Sequence, residues 1–335
     1  MPIHARPGAL IRLWIEGFRH PCAEVGGPRP GRPVVARGNR SLTPPAPPSS
    51  PHLPAACHPP RRPARFKAMS RLPVSIAIIA SNEEANLRVC LASVREWASE
   101  IVVVVNDCRD GTLAVAREAG AVVLEKPWTD YATQKNHALD ACAQPWILAM
   151  DADEEVSPPL LDELSRFMAH AGPDQWGAEI PRCTRLLGRW IRHGEWYPDR
   201  VLRLVRRGAG RWGGDPYHTI IQPIRPAKRA VRLRSDLLHH GYPDIRSYVS
   251  RLNRQADYFA RHHHASGRVA AAWVAAGRAA WRFLRSYLLR LGFLDGFPGL
   301  FVAATAAYSC FIRYARLYEN LLPSRPVASK HVGDT

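Results

Sequence analysis

The stretch Trp146-Ile147-Leu148-Ala149-Met150-Asp151-Ala152-Asp153-Glu154-Glu155 decides the reading of this chain. Its first five residues are an apolar run with the length of a buried strand. Four carboxylates follow at once. Charges at the carboxyl end of a strand in an α/β sheet lie where such folds take their ligands. Hard oxygen ligands in Asp-x-Asp spacing suit Mg2+ or Mn2+, which bridge to substrate phosphates. Helix capping explains the same residues. Asp153 or Ser157 can start a helix opened by Pro158-Pro159, whose positive end favours acids. The pentad alone leaves both readings open.

Upstream, the same pattern repeats. Val74 to Ala80 reads as a buried strand ending in the polar turn Ser81-Asn82-Glu83-Glu84-Ala85-Asn86, with Ser81 and Glu84 spaced as a capping box. Leu87, Cys90, Leu91, Val94 and Trp97 then recur at helical spacing. Ile101 to Val105 is a second strand, and its turn carries Asn106, Asp107 and Asp110 before Gly111-Thr112. A helix to about Ala119 stops at Gly120, Val122 to Leu124 is a third strand, and 131–143 is helical. Strands alternating with helices predict a parallel, doubly wound sheet. Strands that are apolar throughout predict a sheet covered on both faces. No Gly-x-Gly-x-x-Gly follows the first strand, so the usual dinucleotide fingerprint is missing.

Composition bounds the rest. The 335 residues carry a net charge of +17, unevenly spread. Residues 1–68 hold 11 Lys and Arg against 2 acids, and 15 of the 30 prolines. That segment reads as a disordered basic leader or a start-site artefact, with Met69 opening the folded part. Seven scattered cysteines without a Cys-x-x-Cys pair point to a reducing compartment and away from zinc. A pI near 10.2 raises nucleic acid as a partner, but half of the excess charge is in the leader and no nucleic-acid motif is present. The alternating run Val201 to Arg206 predicts a half-buried strand, antiparallel, at the sheet's edge. On it, Arg203 and Arg206 point to opposite faces. Beyond Tyr248 the chain turns helical. Its apolar segments, 284–294 and 300–312, are each too interrupted by arginine to span a bilayer. Arg278, Arg282, Arg285 and Arg290 beside Trp281, Phe283, Tyr287 and Phe293 predict a membrane-surface face.

Taken together, the run from Val74 to Leu87, Asp110-Gly111-Thr112, Gln134 to Leu139, Met150 to Glu155, Trp196-Tyr197-Pro198-Asp199, Gly210-Arg211-Trp212 and Gly292 to Gly296 resemble the family 2 inverting glycosyltransferases of the GT-A fold. Within them the chain is similar to the branch of bacterial lipopolysaccharide core β-glucosyltransferases. The resemblance covers about residues 72–320. It implies an α/β fold: a mostly parallel Rossmann-like sheet with an antiparallel edge and a C-terminal helical region. The expected organisation is a leader over 1–68, a nucleotide-sugar-binding catalytic domain over 69–235, an amphipathic helical region over 236–322 and a tail over 323–335.

The resemblance also implies chemistry. Such enzymes move a sugar from a nucleotide-diphosphate donor, a UDP-sugar first, to a hydroxyl with inversion. Asp153 would hold Mg2+ or Mn2+ directly, with Asp151 on the metal or toward the ribose. Glu83, Asn106, Asp107, Asp110, Lys135 and Asp151 would meet the nucleotide. Trp196, Tyr197, Asp199 and Arg211 would meet the sugar and acceptor, and Arg203 and Arg206 could meet acceptor phosphates. In-line transfer needs a base for the acceptor proton. The family's His-acid pair after Gly-Arg-Trp is altered here to Asp215-Pro216-Tyr217-His218, so that Asp215 or His218 would serve as the base, or the base lies elsewhere. The implied acceptor is a glycolipid, from the lipopolysaccharide core, met by a cytoplasmic enzyme peripheral to the inner membrane. A GT-A protein that binds without turnover is the competing reading.

Overall fold

The computed structural model describes residues 71–215, 218–225, 230–242, 244–264 and 272–319. The expected leader and tail lie outside these residues. Three β/α units and a fourth strand open the fold: β1 (Leu72–Ala80), α1 (Glu84–Val94), β2 (Ala98–Val105), α2 (Thr112–Glu118), β3 (Val122–Glu125), α3 (Tyr131–Asp140) and β4 (Trp146–Asp151). After β4 come β5 (Glu154–Val156), α4 (Pro158–His170), β6 (Gly177–Leu186), β7 (Arg189–Trp190) and β8 (Asp199–Arg206). The hairpin β9 (Gly210–Asp215) and β10 (His218–Pro223) follows, then β11 (Val231–Arg232) and β12 (Leu237–His239). The chain ends in α5 (Ile245–His264), α6 (Ala272–Leu284), a π-helical turn at Arg285–Leu289, a 3-10 turn at Gly292–Asp295, and α7 (Gly296–Glu319).

The main sheet runs β3-β2-β1-β4-β8-β6-β12-β5. β1 pairs in parallel with β2 on one side and β4 on the other, so the order reverses between them. Ligand sites in open α/β sheets sit outside the strand ends at such a switch point. The apolar strands have the cause expected of them. Ile76, Ile78 and Val103 face a core shared with α1, α2 and α4. Ala77, Val102 and Val104 face the other side, packed with Ala138, Leu139, Trp212 and Ile221. Each fully buried Val or Ile contributes about 1.5–3 kcal/mol to that packing.

Four local expectations are corrected. Ser81 and Glu84 form no capping box: Glu83 is the N-cap of α1 and offers no side-chain cap. Ser81 donates instead to the Asn106 carbonyl at 2.9 Å, and Glu84 accepts from the Gly111 N–H at 2.9 Å. Both side chains tie the first turn to the second, and a Cβ at Gly111 would collide with the Glu84 carboxylate. β8 is antiparallel as expected but lies inside the sheet, between β4 and β6. The antiparallel edge is β5, paired with β12. β12, beyond the expected boundary at 235, is therefore a strand of the main sheet.

The third and fourth corrections concern the helices. Among the described residues, the 28 residues Gly292–Glu319, the 3-10 turn and α7 together, are long and apolar enough to cross a membrane by length and composition, the most apolar 18-residue stretch having a mean hydropathy of 1.2. Its Val302, Ala303 and Ala306 are buried. Two of the arginines expected on the membrane-surface face, Arg282 of α6 and Arg285 of the π-helical turn, instead turn inward onto Glu195, at 3.5 and 3.7 Å. The outward face is apolar instead, with Leu288, Leu289, Leu291, Phe293, Leu294 and Phe297 exposed.

Candidate active site

β4 delivers Asp151 to the switch point, and the tight return into β5 places the next three acids in three different environments. Glu154 is fully buried. Its Oε2 accepts from the Asp151 backbone N–H at 2.9 Å, closing the turn on itself. Its Oε1 meets Arg203 at 2.6 Å and Arg182 at 3.4 Å. Glu155 pairs with His240 at 2.9 Å. Helix capping falls to Ser157, whose hydroxyl accepts from the Leu160 N–H at 3.3 Å. The Asp153 alternative for that cap is thereby removed.

Asp151 is held by cations. Its Oδ1 accepts from Lys135 at 2.6 Å, its Oδ2 from Arg203, and Arg182 stands 4.0 Å away. Burial pushes this carboxyl up, but Arg203 and Lys135 hold it well below the usual carboxylate range. Arg182 continues the chain to Asp199, at 2.7 Å. Lys135, Arg203 and Arg182 are thus matched by Asp151, Glu154 and Asp199. Buried ion pairs survive only with such complete matching. The ring of Trp212 lies against this set, 4.4 Å from the Lys135 ammonium and 5.6 Å from the Arg203 guanidinium. Asn136 fixes Trp212 by two bonds to its backbone, both 2.9 Å, and so anchors the hairpin to α3.

Asp153 is different. One oxygen faces His239 Nε2 at 3.1 Å, and the other is buried without a hydrogen-bond donor. His239 comes from the last residue of β12, and its Nδ1 is 3.1 Å from the Thr184 hydroxyl. Burial pushes the Asp153 carboxyl up, but the His239 charge holds it below its ordinary value. Burial acts to lower His239, but the charge and hydrogen bond of Asp153, with Glu154, leave it raised. Across the mouth, burial raises Glu83, and the charges of Asp153 and Asp110 add to the rise. An unsatisfied buried carboxylate oxygen is costly unless something occupies it. A divalent cation would satisfy that oxygen. Among the described residues no three metal-ligating side chains converge. Two protein ligands leave positions for phosphate oxygens and water, the common pattern for such ions.

The remaining expected residues divide. Asp110 organises the mouth: its carboxylate accepts from the Thr112 N–H at 3.0 Å and the Glu84 N–H at 3.1 Å. Burial acts to raise it, and the Thr112 bonds outweigh that and lower it. Asn106 and Asp107 form the facing loop, with Asp107 at a positive φ of 48°. Trp196 is buried against Tyr242 and Tyr248. The Tyr197 hydroxyl donates to Asp236 at 2.8 Å. Asp199 is taken up by Arg182, and Arg211 forms an exposed bidentate pair with Asp140. Arg203 is committed to Asp151 and Glu154, and Arg206 donates to the carbonyls of Ala171, Gly172 and Gln175. Asp215 and His218 face each other in the register of β9 and β10. Their side chains and the tip between them lie outside the described residues. Sequence reasoning missed Arg182 and His239. The signal for His239 was a histidine ending the short apolar run Leu237-Leu238.

A curled, mostly parallel sheet with acids at its switch point and a helical C-terminal layer is the architecture of GT-A glycosyltransferases. The Glycosyl transferase family 2 profile matches residues 75–249, and the chain belongs to that family. It is 31% identical over 263 residues to the lipopolysaccharide core biosynthesis glycosyltransferase LpsC of Rhizobium meliloti, covering 76% of this chain and 96% of LpsC. It is 26% identical over 264 residues to an uncharacterized glycosyltransferase of Rickettsia felis, covering 77% of this chain and 93% of the relative. Among solved structures it is similar to the mannosyltransferase PcManGT of Pyrobaculum calidifontis in complex with GDP-Man and Mn2+. The TM-score is 0.44 at 14% identity, over 76% of this chain and 89% of that one.

Proposed function

We propose that the chain is a metal-dependent inverting hexosyltransferase that carries a sugar from a nucleotide-diphosphate donor, a UDP-sugar first, to a glycolipid acceptor of the lipopolysaccharide core. The observation that carries this reading is the Asp153 oxygen left without a donor beside His239, at the switch point of a family 2 sheet. The likeness to LpsC supports the acceptor class.

Asp153 and His239 would hold the cation, and the imidazole nitrogen suits Mn2+ better than Mg2+. The bound ion would act as a Lewis acid on the donor pyrophosphate. Asp151 stays with its cations and keeps Lys135 beside the phosphates. Glu83, Asp110 and the 106–107 loop border the nucleotide. The acceptor oxygen attacks the anomeric carbon as the bond to the β-phosphate oxygen breaks on the opposite side, which inverts the centre. Asp215 takes the hydroxyl proton, with His218 beside it. The acceptor reaches the site from a bilayer surface on which the exposed face of Leu288, Leu289, Phe293 and Phe297 rests. That surface is the cytoplasmic side of the inner membrane.

A thermal-shift screen of nucleotide sugars with and without Mn2+ tests the reading. A ligand at about 100 times its Kd stabilises by about 2.7 kcal/mol. The expected result is a Mn2+-dependent shift that Asp153→Ala abolishes while the protein stays folded. A Mn2+-dependent shift that survives in Asp153→Ala refutes the metal assignment.

A further inference from the structure

Charge is not shared evenly along the sequence. Residues 69–244 hold 22 Lys and Arg against 23 acids, a net of −1. Residues 245–319 hold 11 arginines against three acids, a net of +8. Helical spacing puts Arg278, Arg282 and Arg285 on one face of α6 and its continuation. That face turns inward. Arg282, Arg285 and Arg290 all point at the single carboxylate of Glu195, at 3.5, 3.7 and 4.0 Å. Glu195 is only 7% exposed and Arg282 only 13%.

Near the catalytic acids three cations meet three carboxylates, but here one carboxylate confronts three guanidiniums. Some N–H groups do find neutral acceptors, such as the Tyr314 hydroxyl for Arg278 and the Gly194 carbonyl for Arg290. Neutral acceptors satisfy hydrogen bonds without cancelling charge. Burial lowers Arg290, and the neighbouring Arg285 and Arg282 charges add to that. The Nε of Arg282 is buried with no acceptor at all. Guanidiniums in this arrangement match tetrahedral oxyanions.

The cluster also opens onto a space. Glu195, Arg251, Arg282, Tyr242 and Gln255 line a narrow cleft that is partly open to solvent. Tyr242 carries Arg251 on its ring, at 5.3 Å, and its ring centroid lies 6.4 Å from that of His239. One aromatic ring therefore separates the cleft from the Asp153–His239 pair.

We propose that this arginine-lined cleft between α5, α6 and α7 is a subsite for a phosphoryl group on the acceptor, holding it so that the acceptor hydroxyl faces the donor. The acceptor assignment rests on the function proposed above, and the anion site itself does not. Inorganic phosphate is the probe. Binding to the full chain is followed by calorimetry and thermal shift against chloride at matched ionic strength. Arg282→Gln is expected to weaken phosphate about tenfold or more, the scale of one charge-assisted hydrogen bond. Glu195→Gln removes the competing carboxylate and is expected to tighten phosphate by a similar factor. Opposite signs at two neighbouring residues cannot come from general damage to the fold. Should Arg282→Gln fail to fold, Arg251→Gln reads the same arm. Phosphate behaving as chloride in the wild type, or both substitutions moving affinity in one direction, overturns the subsite.

Two sources of phosphoryl groups are then separated. Displacement of inorganic phosphate by glucose 6-phosphate supports the acceptor. Displacement only by vesicles of equal parts phosphatidylcholine and phosphatidylglycerol overturns the acceptor and assigns a lipid headgroup. Nucleotide-sugar binding with Mn2+, measured in the same proteins, reports separately on the donor site. Donor binding without phosphate binding sinks the subsite alone, and phosphate binding without donor binding sinks the transferase reading alone.

Discussion

Asp153 and Glu154 are adjacent carboxylates with opposite expected phenotypes. Glu154→Ala removes a fully buried charge that serves Arg203, Arg182 and the Asp151 N–H. Breaking a buried pair while leaving its partners in place costs about 3–5 kcal/mol, and the orphaned N–H adds about 1–3 kcal/mol. Asp151 still shares Arg203, so the lower end of the combined range, about 4 kcal/mol, is expected. For a domain of this size that is a fall in Tm of roughly 8–16 °C. Asp153→Asn is nearly isosteric, keeps an oxygen within reach of His239, and lets the buried imidazole shed its proton so that no charge is left unpaired. Its expected stability change is within about 1 kcal/mol, with loss of the Mn2+-dependent nucleotide-sugar shift. Urea unfolding at neutral pH gives the first quantity, and calorimetric titration of Mn2+ with uridine diphosphate gives the second. The assignment is refuted if Glu154→Ala unfolds at the wild-type urea midpoint, or if Asp153→Asn binds Mn2+ as the wild type does.

Three further predictions follow from separate parts of the fold. Asn136→Leu loses both bonds to the Trp212 backbone and frees the β9–β10 hairpin; stability should fall by about 1–3 kcal/mol, with increased hydrogen exchange at 210–215. Glu163 accepts backbone N–H bonds from Arg234 and Ser235. Burial acts to raise its carboxyl and these bonds lower it below 4.5, so its stabilising contribution is full above its unfolded value and is lost as the pH falls through the folded one. Glu163→Gln should therefore flatten urea stability across that acid window, and an unchanged acid slope would contradict the pairing. Leu289→Asp with Phe297→Asp charges the exposed apolar face. Flotation with phosphatidylglycerol vesicles should drop at least tenfold while urea stability stays near wild type.

The parallel half of the fold was legible because its signals are local. Apolar runs, a helical period and Gly120 at a positive φ of 74° each mark one element without help from the rest. Asp151 and Asp153 were legible for the same reason: charges at a strand end stand out. Their separate roles were not, because the residues that distinguish them arrive from β8, β6 and β12. Arg203 looks like any arginine on an alternating strand until the sheet order sets β8 against β4. Ser81 and Glu84 had capping-box spacing, yet the second turn outcompeted the helix end for both side chains. The inward face of α6 was hidden for a related reason. Helical spacing groups Arg278, Arg282 and Arg285 but does not say which way the group points.

β12 has a consequence for the order in which activity is acquired. It is the strand that carries His239, and it is inserted between β6 and β5. Everything needed for the parallel repeats has been synthesised long before it, and contacts so distant along the chain close late. A nascent chain can thus complete the turns after β1 and β2 while the partner of Asp153 is still in the ribosome. On the metal site proposed above, Mn2+ binding would report that this strand has docked, and would let Mn2+ distinguish finished molecules from trapped ones in a refolding experiment.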